Sequence, residues 1–543
     1  VTYVIAQGCC NDASCVSVCP VDCIRPRPED PEFMSAEQLY IDPDACIDCA
    51  ACMWECPVGA IYDEFDVPEH LDVFKEINAE YFAENPLEVR DSVKTARRKL
   101  PADKPSLRVA VVGSGPSGCY VVDQLSSVAG VEVSVFDRLP TPFGLARAGV
   151  APDHLATKDV TKFFGKVLRR PNVSCYFNVE VGKDISLEEL AAHHHAVVLA
   201  VGADTDRALG IEGENLPGSA SAREFVSWYN GHPDHGTREF DLAGQRVVII
   251  GNGNVALDAA RLLVSNPDEL ESSDMAQHAL DLLRDSGVRD VVVAARRGVL
   301  DAAYTTSELM ALSRLDGVDL VALPDEVAAG DDNRLDRAQV RRKHAVAAAA
   351  SPPDAATADR RITLRYGLTP ESINGDGQVE SVTFRRTGAN PSGADPSGAD
   401  ATETIEAGLV LRAIGYRSSP IVGVPFDERT GTIAHDNGRV RDQTGLYCVG
   451  WAKRGPTGVI GTNQVCATET VAELFADFAN DLFTEPETSA DELSALISSR
   501  NPAVVDFSGW QDIDAAERAR GESVSRPRIK FISIDEMLAA VRS

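Results

Sequence analysis

Two stretches of this chain share one grammar, and they limit its fold more than any other feature. "LRVAVVGSGPSGCYVVDQL" (107–125) and "QRVVIIGNGNVALDAARLL" (245–263) each run from a short apolar strand through a glycine turn into a helical pattern. The turns read Gly113-x-Gly115-x-x-Gly118 and Gly251-x-Gly253-x-x-Ala256. Set between strand and helix, such a turn lets a pyrophosphate approach the helix N-terminus, so each unit is expected to bind a dinucleotide.

The next strand of each unit separates the two ligands. "VEVSVFD" ends in Asp137, an acid placed to bind adenosine ribose hydroxyls, which suits FAD. "VRDVVVAARRG" ends instead in Arg296 and Arg297, which suit a 2'-phosphate through charge and bidentate hydrogen bonding, so the second nucleotide is expected to be NADP(H). "AVVLAVGA" (196–203) and "GLVLRAIGY" (408–416) read as returns to the first unit, which makes the second an insertion with two crossing segments for a hinge.

Nine of the 13 cysteines lie within the first 56 residues. Cys46-x2-Cys49-x2-Cys52-x3-Cys56-Pro57 is the bacterial ferredoxin spacing, in which three cysteines hold one cubane and the fourth reaches across to a second cluster. A zinc ribbon would instead place pairs of cysteines on either side of a longer loop. Cys19-Pro20 mirrors Cys56-Pro57, so Cys19 is expected to complete the 4Fe-4S cluster of Cys46, Cys49 and Cys52. Upstream the regular pattern fails: Cys15 stands at the right distance, but Cys9 and Cys10 are adjacent and neither makes a Cys-x2-Cys step.

Composition fits a multidomain chain of 543 residues, 44% of them hydrophobic, with 41 glycines pointing to turn-rich α/β architecture. No segment reads as a membrane span, and "VTYVIAQG" lacks the features of a secretory signal, so the expectation is a cytoplasmic protein with reduced thiols. A net charge of -31 argues against nucleic acid as a partner. His193, His194 and His195 do not read as a metal site, because adjacent side chains on an extended segment point apart. The tandem "PSGADPSGAD" (391–400) and the alanine-rich "AVAAAASPPDAATAD" (345–359) read as mobile loops.

Several motifs carry a resemblance. The head, through "CPVDC", resembles the seven-iron ferredoxins, which implies a 3Fe-4S cluster on Cys9, Cys15 and Cys56, with Cys10 as an alternative or extra ligand, a second 4Fe-4S cluster as the alternative outcome, and Cys23 packed nearby without binding. "TPFGLARAGVAPDH" (141–154), "IIGNGNVALD", "ARRG…AAYTTSEL" (295–309) and "GWAKRGPTGVIGTN" (450–463) resemble the adrenodoxin-reductase family of ferredoxin–NADP reductases. That resemblance implies that Gly113, Gly115, Pro116 and Asp137 bind the FAD adenosine and pyrophosphate, and that Leu145, Trp451, Gly458, Val459 and Ile460 border the flavin. Gly458 would also meet the nicotinamide. Asn252, Gly253, Asn254 and Val255 would hold the NADP pyrophosphate, Arg296 and Arg297 its 2'-phosphate, and Glu308 a neighbouring hydroxyl or amide. His154 matches a histidine discussed as a proton relay, although Ala311 stands where a relative carries the acid proposed to act with it.

The expected class is therefore α/β with an α+β head: a ferredoxin-like iron-sulfur domain at 1–65, a cap helix and linker at 66–106, a Rossmann-like FAD domain at 107–205 and 406–483 with the NADP domain (206–405) inserted, and a helical extension at 484–543. The implied activity moves electrons between NADPH, FAD and the head's own clusters, then to an external acceptor protein such as a ferredoxin or cytochrome P450 system. Two other readings share these parts: a glutamate-synthase-like electron-input subunit, and a reductase whose head is a docking or sensing module.

Overall fold

A computed structural model describes residues 2–87, 98–328, 337–386 and 402–541. In the head, Tyr3–Ile5 pairs antiparallel with Ile61–Asp63, and Ile24–Arg25 pairs with Tyr40–Ile41. Helices Ser14–Val18 and Ala51–Glu55 lie in the two cysteine loops. Helix Val73–Glu84 caps this unit through the buried Asn78, whose side chain accepts from the Ile41 amide at 2.8 Å and donates to the Ile5 carbonyl at 2.8 Å. One amide thus ties two strands that do not otherwise pair. Part of the expected linker, 88–97, lies outside the described residues.

The first nucleotide unit is a seven-stranded sheet in which Leu446–Cys448, Ala196–Leu199, Leu107–Val112, Val131–Asp137 and Val173–Phe177 run parallel in that spatial order. The second is a six-stranded parallel sheet ordered 219–221, 409–412, 246–250, 290–295, 360–366, 318–322, with a three-stranded antiparallel sheet (368–374, 381–386, 402–406) beside it. The strand Leu409–Arg412, expected to re-enter the first sheet, belongs to the second, paired with Val247–Ile250. Its apolar run followed by a glycine is the same signal in either sheet, so sequence could not choose between them. The chain rejoins the first sheet only at His435–Asp436. The two crossing segments do meet, as an antiparallel ribbon of Thr205–Asp206 with Tyr416–Arg417.

The alanine-rich segment is not the loop that was expected: helix Arg337–Ala349 includes it as far as Ala349, with Val346 fully buried. Alanine is the best helix former, and composition alone hid that. The tandem at 391–400 lies outside the described residues. The three histidines take separate partners: His194 bonds the Leu190 carbonyl and Ser134, His195 accepts from the Arg108 amide, and His193 meets Thr488.

The C-terminal helices Ala490–Arg500, Phe507–Glu522 and Ile534–Ala540 pack on the nucleotide-binding body. Val505 exchanges two backbone hydrogen bonds with Phe177, extending the first sheet. Lys530 reaches a buried junction between the units, where Asp274 accepts from Lys158 at 2.6 Å and from Lys530 at 3.0 Å, and Asn230 accepts from both lysines.

Candidate functional site

Each glycine turn is shaped as its spacing predicts. Gly113 has φ +103°, a region that favours glycine, and a Cβ there would run into the Ala200 carbonyl; Gly251 has φ +116° and would meet Ala413. Gly118 leaves no room for a Cβ against the Gly113 carbonyl, so helix Pro116–Ser126 lies close on its strand. Around Gly253, the N-cap of helix Asn254–Val264, a Cβ would meet nothing within 4 Å, leaving space for a ligand at the helix end. Asp137 ends its strand as expected and also holds the turn, accepting from the Ser114 amide at 2.9 Å.

The segment 450–463 arrives opposite the first turn. Asn463 accepts from Ser117 at 2.8 Å and from Arg454 at 2.9 Å, and it donates to the Ile460 carbonyl. Trp451 stacks on Tyr416 of the crossing ribbon with ring centroids 5.5 Å apart. Gly458 has φ +80° and no room for a Cβ against Thr462. Arg454, inside a quoted motif but not singled out from it, keeps Nε and one terminal nitrogen buried with no hydrogen-bond partner. These two unpaired nitrogens, beside the N-terminus of helix Pro116–Ser126, fit the pyrophosphate of a bound dinucleotide.

On the second unit, Arg296 and Arg297 are both exposed immediately after strand Asp290–Ala295. Asn254 accepts from the Thr305 amide at 2.8 Å, tying the pyrophosphate turn to the 304–309 segment. Glu308 meets His154 and Asp258, one ligand atom from each lying within 4.8 Å of the others. Buried Arg261 binds Asp258 at 2.7 Å, touches His154 Nε2 at 3.2 Å and pairs with Asp153, joining the second unit to the loop that carries His154. Burial, with the charge of Asp258 added, pushes the Glu308 carboxyl up to about 7. Sequence reasoning passed over Asp258 and Arg261, although Asp258 stands in the quoted "IIGNGNVALD".

In the head, Cys19, Cys46, Cys49 and Cys52 line one recess together with Val21, Cys23 and Ile47. Cys49 is exposed, and Ile47 is 58% exposed. The Cys23 thiol lies 3.5 Å from the Cys19 sulfur and its backbone amide donates to that sulfur at 3.4 Å. The thiol hydrogen bond, with those of neighbouring backbone amides, lowers Cys19 to about 6 against the opposing effect of burial, while Cys23 is held protonated. This donor set fits a thiolate-bound cluster with Cys23 as a hydrogen-bond donor beside it. Among the described residues the group close enough to hold a single metal ion is His154, Asp258 and Glu308, with no cysteine in it.

Cys9, Cys15 and Cys56, the ligands expected for the other cluster, lie in one apolar cluster of the head. Burial pushes Cys9 up to about 12 and raises Cys15 and Cys56 as well; the charge of Cys56 bears on Cys9, and those of Cys9 and Cys56 bear on Cys15. This second group is seated against the first nucleotide unit: the Gly461 amide donates to the Cys10 carbonyl at 2.6 Å, and Cys10, Val58 and Ala60 join the core formed by Tyr120, Phe164 and Cys466. Glu37 of the head also accepts from the Thr306 amide of the second unit at 3.1 Å.

Two nucleotide units, each with a glycine turn between strand and helix, joined to a thiolate-lined head, define a dinucleotide-dependent oxidoreductase with an iron-sulfur domain. Family models agree on both parts: pyridine nucleotide-disulphide oxidoreductase matches residues 108–322, and a 4Fe-4S binding domain matches 39–62. The chain is 46% identical over 558 residues to a probable ferredoxin/ferredoxin–NADP reductase of Mycobacterium tuberculosis, covering 100% of this chain and 95% of the relative. It is 44% identical to the protein of that description from Mycobacterium leprae, covering 99% and 97%. The structure of Mycobacterium tuberculosis FprA in complex with NADPH superposes with a TM-score of 0.74 at 40% identity, covering 80% of this chain and 99% of that one. The chain belongs to the family of fused ferredoxin/ferredoxin–NADP reductases.

Proposed function

We propose that this protein is a ferredoxin–NADP reductase that takes electrons from NADPH and delivers them through its own iron-sulfur head to an external acceptor protein. The observation that carries the reading is the seat of the head: Cys10 and its neighbours sit against Ile460 and Gly461, in the segment assigned to the flavin border. Cys49 and Ile47 of the other cysteine group stay exposed. One cluster is thus near the source of electrons and the other near their exit. FAD, when bound, supplies the conversion between a hydride's electron pair and single electrons.

The protein's own groups do the rest. Gly113, Gly115, Pro116 and Arg454 hold the FAD pyrophosphate, Asp137 fixes the turn and meets the ribose, and Leu145, Trp451 and Gly458 to Ile460 shape the flavin pocket. Asn252 to Val255 hold the NADP pyrophosphate, and Arg296 and Arg297 the 2'-phosphate. Glu308 keeps a proton near neutral pH beside His154. That proton offers a neutral hydrogen-bond donor in a polar wall, with His154 beside it to exchange the proton. Cys19, Cys46, Cys49 and Cys52 hold the 4Fe-4S cluster; Cys9, Cys15 and Cys56 hold a 3Fe-4S cluster.

No described helix is long and apolar enough to cross a membrane, and none of the 13 cysteines is paired in a disulfide, which suits a reducing, cytoplasmic setting. The full-length likeness to fused reductases favours this reading over an electron-input subunit. Anaerobic titration with NADPH tests it: the reading requires loss of the flavin absorbance and of the oxidised three-iron EPR signal together. A head that stays oxidised while the flavin bleaches would support the docking-module alternative.

A further inference from the structure

The two cysteine loops of the head are copies of one another, displaced by 37 residues, the difference between 46 and 9. The backbone shows it at successive positions. Asn11 and Asp48 have φ +54° and +56°, and Ala13 and Ala50 both have φ +60°. Each of these alanines caps a five-residue helix, Ser14–Val18 or Ala51–Glu55. Each helix ends at an extended cysteine, Cys19 or Cys56, followed by proline. Cys23 N–H donates to Cys19 Sγ at 3.4 Å, and Ala60 N–H donates to Cys56 Sγ at 3.3 Å. Asp22 and Gly59, with φ +53° and +62°, complete the correspondence.

This register equates Cys9 with Cys46, Cys15 with Cys52 and Cys19 with Cys56. It leaves Asp12 where the other loop carries Cys49. The first loop is therefore a regular ferredoxin spacing, Cys9-x2-Asp12-x2-Cys15-x3-Cys19, with one sulfur replaced by a carboxylate. Cys10, one place out of register, gives its carbonyl to Gly461 and its side chain to the reductase core.

Asp12 has the surroundings of a ligand. It is 8% exposed, and its charge bears on Cys9, Cys10, Cys15 and Cys56. Its carboxylate accepts from the Ser14 hydroxyl and, at 3.4 Å, from the Ser14 amide, and it has no cationic partner among the described residues. A buried carboxylate without a cation is costly, and a bound iron would supply the missing charge. The Tyr120 hydroxyl, buried without a hydrogen-bond partner, lies within electrostatic reach of Cys10 and Asp12.

We propose that Asp12 is the fourth ligand of the first cluster, so that the site on Cys9, Cys15 and Cys56 takes up a fourth iron through a carboxylate oxygen. The inference rests on the cluster assignment above. The balance is simple. A three-iron core that has gained one electron carries no net charge; a ferrous ion adds two positive charges and gives a cubane core of charge 2+, with no further electron transferred. The Asp12 oxygen replaces a water on the incoming iron. A hard oxygen ligand in place of thiolate makes that iron the exchangeable one.

The test uses the full-length holoprotein, reduced anaerobically with dithionite and incubated with ferrous ions, and reads iron content, Mössbauer spectra and EPR. The parent should gain one iron per chain and lose its three-iron signal. Asp12→Asn, close in shape, should keep the three-iron signal and gain none, and Asp12→Cys should be isolated with two cubanes. Uptake by Asp12→Asn equal to the parent's would overturn the proposal, as would a parent that takes up no iron, or uptake abolished by Cys10→Ala and kept by Asp12→Asn. A parent showing no three-iron or four-iron signal at the first site before any addition would instead overturn the cluster assignment.

Discussion

The Gly461 amide donates to the Cys10 carbonyl at 2.6 Å, and a Cβ on Gly461 would collide with the Asn11 carbonyl, so the reductase segment and the first cysteine loop touch backbone to backbone. No side chain separates them. Gly461→Ala must therefore push the head away or strain the junction, with overpacking of this kind costing about 1–3 kcal/mol. The expected outcome is slower reduction of the clusters by NADPH, while reduction of ferricyanide, taken directly from the flavin, stays near the parent rate. Stopped-flow absorbance on the two reactions checks it.

Arg296 and Arg297 stand exposed at the end of their strand, with no carboxylate at that strand end to suit an unphosphorylated ribose. The double alanine variant should lose most of the preference for NADPH over NADH, each charge-assisted contact being worth about 1.5–3 kcal/mol. The ratio of kcat/KM for the two nucleotides is the measurement. An unaltered protein that uses both equally would refute the placement.

Glu308 gives a pH dependence with a definite sign. Burial pushes its carboxyl up to about 7 when folded, against an ordinary value of 4.5, with the charges of Asp258, His154, Arg261 and Asp153 acting on it. Between those values the folded protein keeps a proton that the unfolded chain releases, so stability declines as pH rises through the window, and the decline is complete above about 7. Above that pH the new negative charge also opposes a phosphorylated ligand. Glu308→Gln should flatten the fall in Tm between about pH 4.5 and 7 and the rise in KM for NADPH as pH passes about 7, as thermal unfolding and initial rates at each pH would reveal.

Asp274 neutralises Lys158 and Lys530 at the buried junction of the two nucleotide units and the C-terminal segment. Both lysines are pushed below their ordinary range by burial, and the aspartate, although buried, is held at about 2 by the two ammonium groups. Asp274→Asn leaves two buried cations without their counter-charge and should cost about 3–5 kcal/mol. Asp427→Asn, on the surface, should leave the unfolding midpoint close to the parent's. Denaturant unfolding of the two variants provides the comparison.

What could be read from residues alone follows from how local each signal is. The glycine turns, Asp137 and the Arg296–Arg297 pair act within one strand–turn–helix unit, and the structure folds them at the expected strand and helix ends. The strand at 409–412 failed because an apolar strand carries no label for its sheet; partners far away in sequence decide that. Arg454 went unassigned because its significance lies in two nitrogens without partners, a property of packing. Asp12 was passed over because the first loop was read for cysteines only. The matching "CPVDC" and "CPVGA" already offered the 37-residue register that exposes it.

The order of electron arrival tests the central claim most directly. Anaerobic protein mixed with NADPH and freeze-quenched over milliseconds to seconds should show the flavin reduced first, the cluster on Cys9, Cys15 and Cys56 next, and the cluster on Cys19, Cys46, Cys49 and Cys52 only through it. In Gly461→Ala the first step should keep its rate while the two later steps slow together. Clusters that remain oxidised after complete flavin reduction, or an exposed cluster that fills at an unchanged rate in that variant, would contradict the account.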